Sequence, residues 1–380
     1  MKKSALNRII IWSVVSVLVI GILVSSLAFI SYTAIMPSFD RIISEGYYDI
    51  NTESEYEQTN GLTDTDSMIS YITLYLSTGK VIFEQNSSDE LVVEQLVNSS
   101  DDEAGCSEGF YYRYSYEDAG YEFNALEIYG SDKDFQLQDQ DFSSSDFTFL
   151  FDNDLKNIPE QTILVKIPKR LYLNEIKINT ASADIKINNV SPDYLTINSF
   201  SGTINASSVE SSYMNINNVS NEVNLKNMKA DEISVNNVSG NVNADGEFET
   251  FTFDSVSGDL YYSANSSANC LTSINTVSGD AYLTLPESYG FTLEDSSISG
   301  SVVSKLKGRN TDYGYAYGNE SAEIEFNSIS GSIILKPLEN EKTEQRTEQK
   351  KTEKNEASTS PSASTSQVQE TTAKTAKSSD

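Results

Sequence analysis

Between residues 176 and 337 apolar and polar positions alternate in short bursts, and the bursts recur. Each is centred on a three-residue motif: Ala181-Ser182-Ala183, Phe200-Ser201-Gly202, Val219-Ser220-Asn221, Val238-Ser239-Gly240, Val256-Ser257-Gly258, Val277-Ser278-Gly279, Ile298-Ser299-Gly300 and Ile329-Ser330-Gly331. Successive serines lie 19, 19, 19, 18, 21, 21 and 31 residues apart. Counted from each serine, positions −6, −4, −1, +3 and +5 are apolar in 37 of 40 instances, the exceptions being Thr272, Asp295 and Ser304. An apolar content of 38% would fill only about 15 of the 40. Alternation on both sides of the motif predicts two short strands per repeat, −6/−4 and +3/+5, with all five positions facing one interior. A period near 20 residues predicts a solenoid.

The residues at the hinge agree with that reading. Position +1 is glycine in six repeats, Gly202, Gly240, Gly258, Gly279, Gly300 and Gly331, which predicts a bend taken at positive φ. Asn221 is the next-best residue for such a bend, and Ala183 marks a different first corner. Position −3 holds Asn179, Asn198, Asn217, Asn236, Asp254, Asn275, Ser296 and Asn327. Six asparagines in register predict a stacked amide ladder. The functional alternative is a polar stripe that binds a ligand. One repeat buries too little to fold alone, so each must lend its neighbour a strand edge and a floor of apolar side chains. The expected fold is all-β, a β-solenoid of the single-stranded β-helix kind, with coils of about 19–21 residues; eight coils at about 4.8 Å make a column near 38 Å long. A β-sandwich is the alternative.

Outside the repeat, Ile72, Leu74, Thr78-Gly79, Val81 and Phe83 fit the same register, so 69–97 reads as an earlier coil or the start of a cap. Residues 98–160 interrupt the repeat with alternating aromatics, Tyr112, Tyr114, Tyr116, Tyr121 and Phe123. They are expected to cap the open end of the column; the alternative is an exposed platform for glycans. The 31-residue spacing contains Arg309–Gly318, a Gly/Tyr-rich insertion expected to leave the column as a loop that contacts a partner or covers the core end. From Glu339 onward aromatics vanish, and this composition predicts a disordered tail over 338–380.

Ile9 to Ile30 carries no charge over 22 residues, enough for a helix of about 33 Å against a hydrocarbon layer of about 30 Å. Lys2, Lys3 and Arg8 precede it, which predicts a cytoplasmic N-terminus and an extracytoplasmic bulk. Cleavage near Ser26-Leu27-Ala28 is the competing reading. The expected organisation is a cytoplasmic segment 1–8, a transmembrane helix 9–31, a linker 32–68, a coil and aromatic/acidic cap 69–160, the solenoid 161–337 and the tail.

Charge narrows the chemistry. The 380 residues include 26 basic, 56 acidic and no histidine, a formal charge of −30. Histidine-dependent triads and histidine metal sites are excluded, and a phosphate-tracking nucleic-acid binder is disfavoured. Residues 37–160 hold 28 acidic and 5 basic residues, net −23. Asp64, Asp66, Asp132, Asp134, Asp139 and Asp141 form only D-x-D pairs, short of a calcium loop. Cys106 and Cys270 read as two unpaired thiols in loops. No cofactor and no metal is expected.

The chain also resembles the bacterial putative-adhesin family of membrane-anchored β-solenoid proteins. The resemblance rests on Leu164-Val165-Lys166-Ile167-Pro168-Lys169 leading into Leu173-Asn174-Glu175-Ile176-Lys177-Ile178. Val256–Asp259 and Val277–Asp280 share the form V-S-G-D. Leu285-Pro286-Glu287-Ser288-Tyr289-Gly290-Phe291, Tyr317-Gly318 and Ile329-Ser330-Gly331-Ser332-Ile333 complete the match. It implies a surface or envelope-associated protein, in some members linked to envelope stress, with no catalytic residues to carry over.

The expected function is that of a membrane-anchored, extracytoplasmic, non-catalytic surface protein, an adhesin or envelope scaffold. Its expected partners are a cell-wall polymer, a host surface or a membrane protein, with no nucleic acid. One alternative is an envelope-stress sensor acting through a membrane partner, since eight inside residues are too few for an output domain. Another is a carbohydrate-active β-helix enzyme using Asp259 and Asp280, both at +2.

Overall fold

β-branched and aromatic residues at alternate positions favour extended chain, and here they close into rungs that pile up in register. In the computed structural model, which describes residues 44–49, 61–64, 69–96, 109–115, 125–130, 161–265 and 270–338, every described regular element is a strand. Ser182 pairs with Ser201, Ser201 with Ser220, Ser220 with Ser239, Ser239 with Ser257, Ser257 with Ser278 and Ser278 with Ser330, all in parallel strands. Each rung is designated below by its motif residue. Thr78 lies against Ser182, so strand Tyr71–Asn86 is a rung of the same column. Beyond it, strands Ala125–Tyr129 and Gln161–Pro168 run parallel to Tyr71–Asn86 and form one more. Ten rungs at about 4.8 Å give a column of about 43 Å. Ile9–Ile30, Cys106, the expected cap residues Tyr116, Tyr121 and Phe123, and residues 339–380 of the tail lie outside the described residues. Among the described residues no helix is long and apolar enough to cross a membrane.

Positions −6, −4, +3 and +5 fill the interior, for example Ile178, Ile197, Ile216 and Val235 in one row and Ile185, Ile204, Val223 and Val242 in another, each at most 1% exposed. The −1 row is the correction. Strand alternation runs unbroken from −6 through −4 to −2, so −2 points inward and −1 outward. The phase flips only across the bend, where −1 and the serine both face out and +1 faces in. Thr180, Ser199, Asn218, Asn237, Ser255, Thr276 and Ser328 therefore lie buried, while Val219, Val238, Val256 and Val277 are only half-buried.

A third, shorter wall closes each middle rung and was not apparent in the sequence. Val190, Val209 and Met228 are buried along it. The chain enters this wall through Asn189, Ser208 and Asn227, whose φ values of 53°, 53° and 52° place them in the left-handed region. The 18-residue repeat omits one residue at this corner, because Leu225 faces Ala244 while Met228 already faces Gly246.

Both ends depart from chain order. Strands Ala322–Ser330 and Ile333–Pro337 lie between rung 278 and the strands Phe291–Asp295 and Val302–Ser304. The spatial sequence is thus 278, 330, 299, with Ser299 bridging Ser330. At the other end Tyr71–Asn86 sits between the 125–168 rung and rung 182. Antiparallel strands finish the column: Leu91–Leu96 on Gln161–Pro168, Gly109–Ser115 on Ala125–Tyr129, and Gly314–Tyr317 on Phe291–Asp295. The Gly/Tyr-rich insertion therefore does not leave the column; Tyr315 and Ala316 are buried over its end, and Tyr313 stays exposed.

Candidate functional site

The bend carries most of the patterned polar chemistry. At Gly240, φ is 106°, and a Cβ would lie 2.0 Å from the Asn221 carbonyl oxygen of the rung beneath. Gly202, Gly258 and Gly279 share the positive φ, at 105°, 141° and 155°. Gly300 and Gly331 do not take it, which corrects the expectation for those two. They are required for closeness instead: a Cβ at Gly300 would meet the Gly331 carbonyl oxygen at 1.8 Å, and one at Gly331 the Gly279 carbonyl oxygen at 2.0 Å. Asn221 does not adopt positive φ either. Its side chain turns into the bend and donates to Ser199 Oγ at 2.8 Å.

The −3 asparagines stack as neighbours on successive rungs. Asn198 Nδ2 donates to Asn179 Oδ1 at 2.9 Å, Asn217 to Asn198 at 2.8 Å and Asn236 to Asn217 at 3.0 Å. Higher up, Asn275 donates to Asp254 Oδ1 at 2.8 Å and Asn327 to Asn275 at 2.9 Å. In each of these bonds the upper amide donates to the rung below; the row begins at Asn179, whose Nδ2 has no partner, and is interrupted between Asp254 and Asn236. Asp254 stands between Asn236 and Asn275 in this row, and burial pushes its carboxyl above the usual carboxylate range, opposed in part by the bond from Asn275. At the foot of the column the row continues as Tyr75 and Tyr129, stacked at 5.1 Å and 5°.

Sequence reasoning missed a second polar row, inside the bend, which is hydrogen-bonded on its lower rungs while the hydroxyls of Ser255, Thr276 and Ser328 have no partner. Every −2 residue from Thr180 to Ser328 is serine, threonine or asparagine, and that uniformity was the available signal. Thr180 Oγ1 donates to Ser199 Oγ at 3.1 Å, Asn218 Nδ2 to Asn237 Oδ1 at 2.8 Å, and Asn237 Nδ2 to the Gly240 carbonyl at 2.6 Å.

The outward carboxylates serve the backbone. Asp184 Oδ1 accepts the Thr203 N–H at 2.8 Å, Asp259 Oδ1 that of Asp280 at 2.9 Å, and Asp280 Oδ1 that of Ser332 at 2.8 Å. Asp259 and Asp280 thus lie on adjacent rungs, each tied to the next. Tyr261 and Tyr282 stack beside them at 4.8 Å and 4°, with Lys336 Nζ 5.3 Å from the Tyr282 ring. Tyr194 and Tyr213 form a similar exposed pair at 5.1 Å and 7°. In both pairs each ring covers the face of its partner.

Cys270 is free and 2% exposed, inside the core rather than in a loop. Its Sγ lies 3.4 Å from Thr272 Oγ1, which gives that polar exception in the −6 row a partner. Tyr262 and Tyr289 lie beside the sulfur, and burial raises the thiol and both phenols above their ordinary pKa values. Of the aromatics expected as a cap, Tyr112 packs partly buried against the core and Tyr114 lies in the strand Gly109–Ser115. Among the described residues no group of three or more acidic or cysteine side chains is placed to hold a metal ion.

A family model described as Toastrack DUF4097 matches residues 112–319. The chain is also similar to the crystal structure of a putative cell adhesion protein from Clostridium sporogenes, at 13% identity over 73% of this chain and 99% of that one, with a TM-score of 0.23. A putative lipid binding protein from Parabacteroides distasonis is similar at 12% identity over 74% of this chain and 98% of that one, with a TM-score of 0.35. No curated protein matches the chain.

Proposed function

The chain belongs to the Toastrack DUF4097 family, and on that premise we propose that it is a non-catalytic scaffold of the cell envelope, held by its N-terminal apolar segment and presenting a rigid β-solenoid outside the membrane. The observation that carries this reading is how the polar groups are used. Along the −3 and +2 rows they bond from one rung to the next, as Asn217 does to Asn198 and as the Asp259 and Asp280 carboxylates do. Such rows stiffen a rod and offer the same groups at each level. Catalysis asks instead for different groups converging on one point. The 22 uncharged residues from Ile9 to Ile30 supply the anchor in this reading.

Retention tests it. The full-length protein in detergent is passed over insoluble cell-wall polymer and over immobilised envelope membrane proteins. Binding to either, unchanged in an Asp259→Asn/Asp280→Asn variant, is the expected result. No retention on both, or polymer cleavage that the variant loses, overturns the reading.

A further inference from the structure

The outward −1 row is an apolar ridge. It runs in space from Ala181 through Phe200, Val219, Val238, Val256, Val277 and Ile329 to Ile298. Phe200 is 41% exposed and Ile298 40%, and the valines between are half-buried because each is covered by the rungs above and below. All eight repeats place an apolar side chain at this solvent-facing position and a polar one at −2 beside it, which is buried in seven of them. Packing inside the column does not require the ridge, since the −6, −4, +3 and +5 rows already fill the core.

One flank of the ridge is uncharged over its middle rungs, while across the bend the outward +2 row carries Asp184, Glu222, Asp259 and Asp280. On rungs 201 to 278 the outward positions −5, −3 and 0 are serine, threonine or asparagine, with Asp254 the one acid among them. That acid is the group whose burial favours its neutral form. The chain as a whole carries −30, so this strip, whose −5 row is charged only at Lys177, Glu294 and Glu325 towards its two ends, is where two copies approach with least repulsion.

We infer that this ridge is a homodimer interface, in which two columns lie side by side with valine rows facing each other. A row of eight rungs is about 34 Å long, and the strip from −5 to the serine is about 16 Å wide. Each copy then buries roughly 500 Å², and the pair roughly 1,000 Å², at the lower bound of a specific interface. The repeat is the same on both partners, so side chains of one copy fit between the rungs of the other along the full length, as in a dry interface of paired sheets. A two-fold axis brings identical rows together without any further complementarity.

Sedimentation velocity on the full-length chain in detergent decides it. The expected result is a dimer at micromolar concentration that dissociates at least tenfold more readily in Val238→Glu/Val256→Glu. Thr284→Glu, on a different outward row, should leave it intact. Screening removes the mutual repulsion of two acidic columns, so raising salt should strengthen the dimer. A short bis-maleimide should link two copies through Ser239→Cys, mid-ridge, beyond the level of the unmodified protein and of Ser263→Cys; this readout does not depend on the glutamate variant folding. A monomeric wild type, a dimer untouched by the two glutamates, a dimer weakened by salt, or no Ser239-specific link each overturns the proposal.

Discussion

The middle of the column and its two ends are built from one repeat yet follow different rules of order. From rung 182 to rung 278 each coil stacks on the one before it in sequence. At both ends the chain skips a place and returns to fill it, putting rung 330 under rung 299 and rung 78 over the 125–168 rung. The repeat fixes which residue faces which, because a one-residue slip would turn every inward side chain outward. It does not fix which coil lies above which, since every coil offers its neighbours an equivalent edge. A parallel column also ends in bare backbone donors and acceptors that invite further strands. Returning segments at the ends supply antiparallel strands, which short connections permit, and these cover the open edge.

Cross-linking breaks or sharpens that contrast most sharply, because its outcome is all or none. Ser273 faces Glu325, and Glu325 faces Glu294 on its other side. Ser273→Cys/Glu325→Cys sits one rung apart, within the Cα range of a disulfide, and should oxidise fully. Ser273→Cys/Glu294→Cys is two rungs apart, about 9.6 Å, and should not. Non-reducing electrophoresis reads both, and the reverse pattern would restore chain order. Next in size is the core of the inserted rung. Phe326 is fully buried, whereas Val303 on the terminal rung is 47% exposed. Phe326→Ala should cost about 3–5 kcal/mol in denaturant unfolding, and Val303→Ala close to nothing.

Gly240→Ala comes third, at about 3 kcal/mol, because it meets both a left-handed φ and a carbonyl at 2.0 Å. If melting shows less than about 1 kcal/mol, the bends do not lie over one another as described. These bends also show what was readable beforehand. Register was legible, down to Thr78 falling on Ser182, because period-two alternation and a fixed motif leave few alternatives. The facing of the −1 row was misread, since a valine beside a turn looks the same whether it points in or out. The polar −2 row, which settles the question, was overlooked. Coil order at the ends was not legible, because rungs 299 and 330 carry nearly the same motif, Ile-Ser-Gly-Ser. Cys270, Thr272, Tyr262 and Tyr289 meet only through the turn of the solenoid, and their spacing follows no pattern that marks a cluster.

The smallest effect is also the one that tests the ladder most directly. Within the row of amides, Asp254 accepts from Asn275 above but, when ionised, has no proton to offer Asn236 below. Its carboxyl is raised by burial, so the folded protein holds a proton there more tightly than the unfolded chain does. In the pH window from the ordinary aspartate value up to that raised value the native state binds more protons, and stability falls as pH rises through it. At neutral pH the ionised group is therefore a local cost, and Asp254→Asn should stabilise by about 1 kcal/mol, the worth of one restored amide hydrogen bond plus relief of a buried charge. The gain should be largest at pH 7 and shrink toward pH 4, where protonated Asp254 is itself able to donate to Asn236. Thermal melts of both proteins across that range provide the check. A variant that is less stable at pH 7, or a difference that does not change with pH, would mean that the row gains nothing from continuity at this rung.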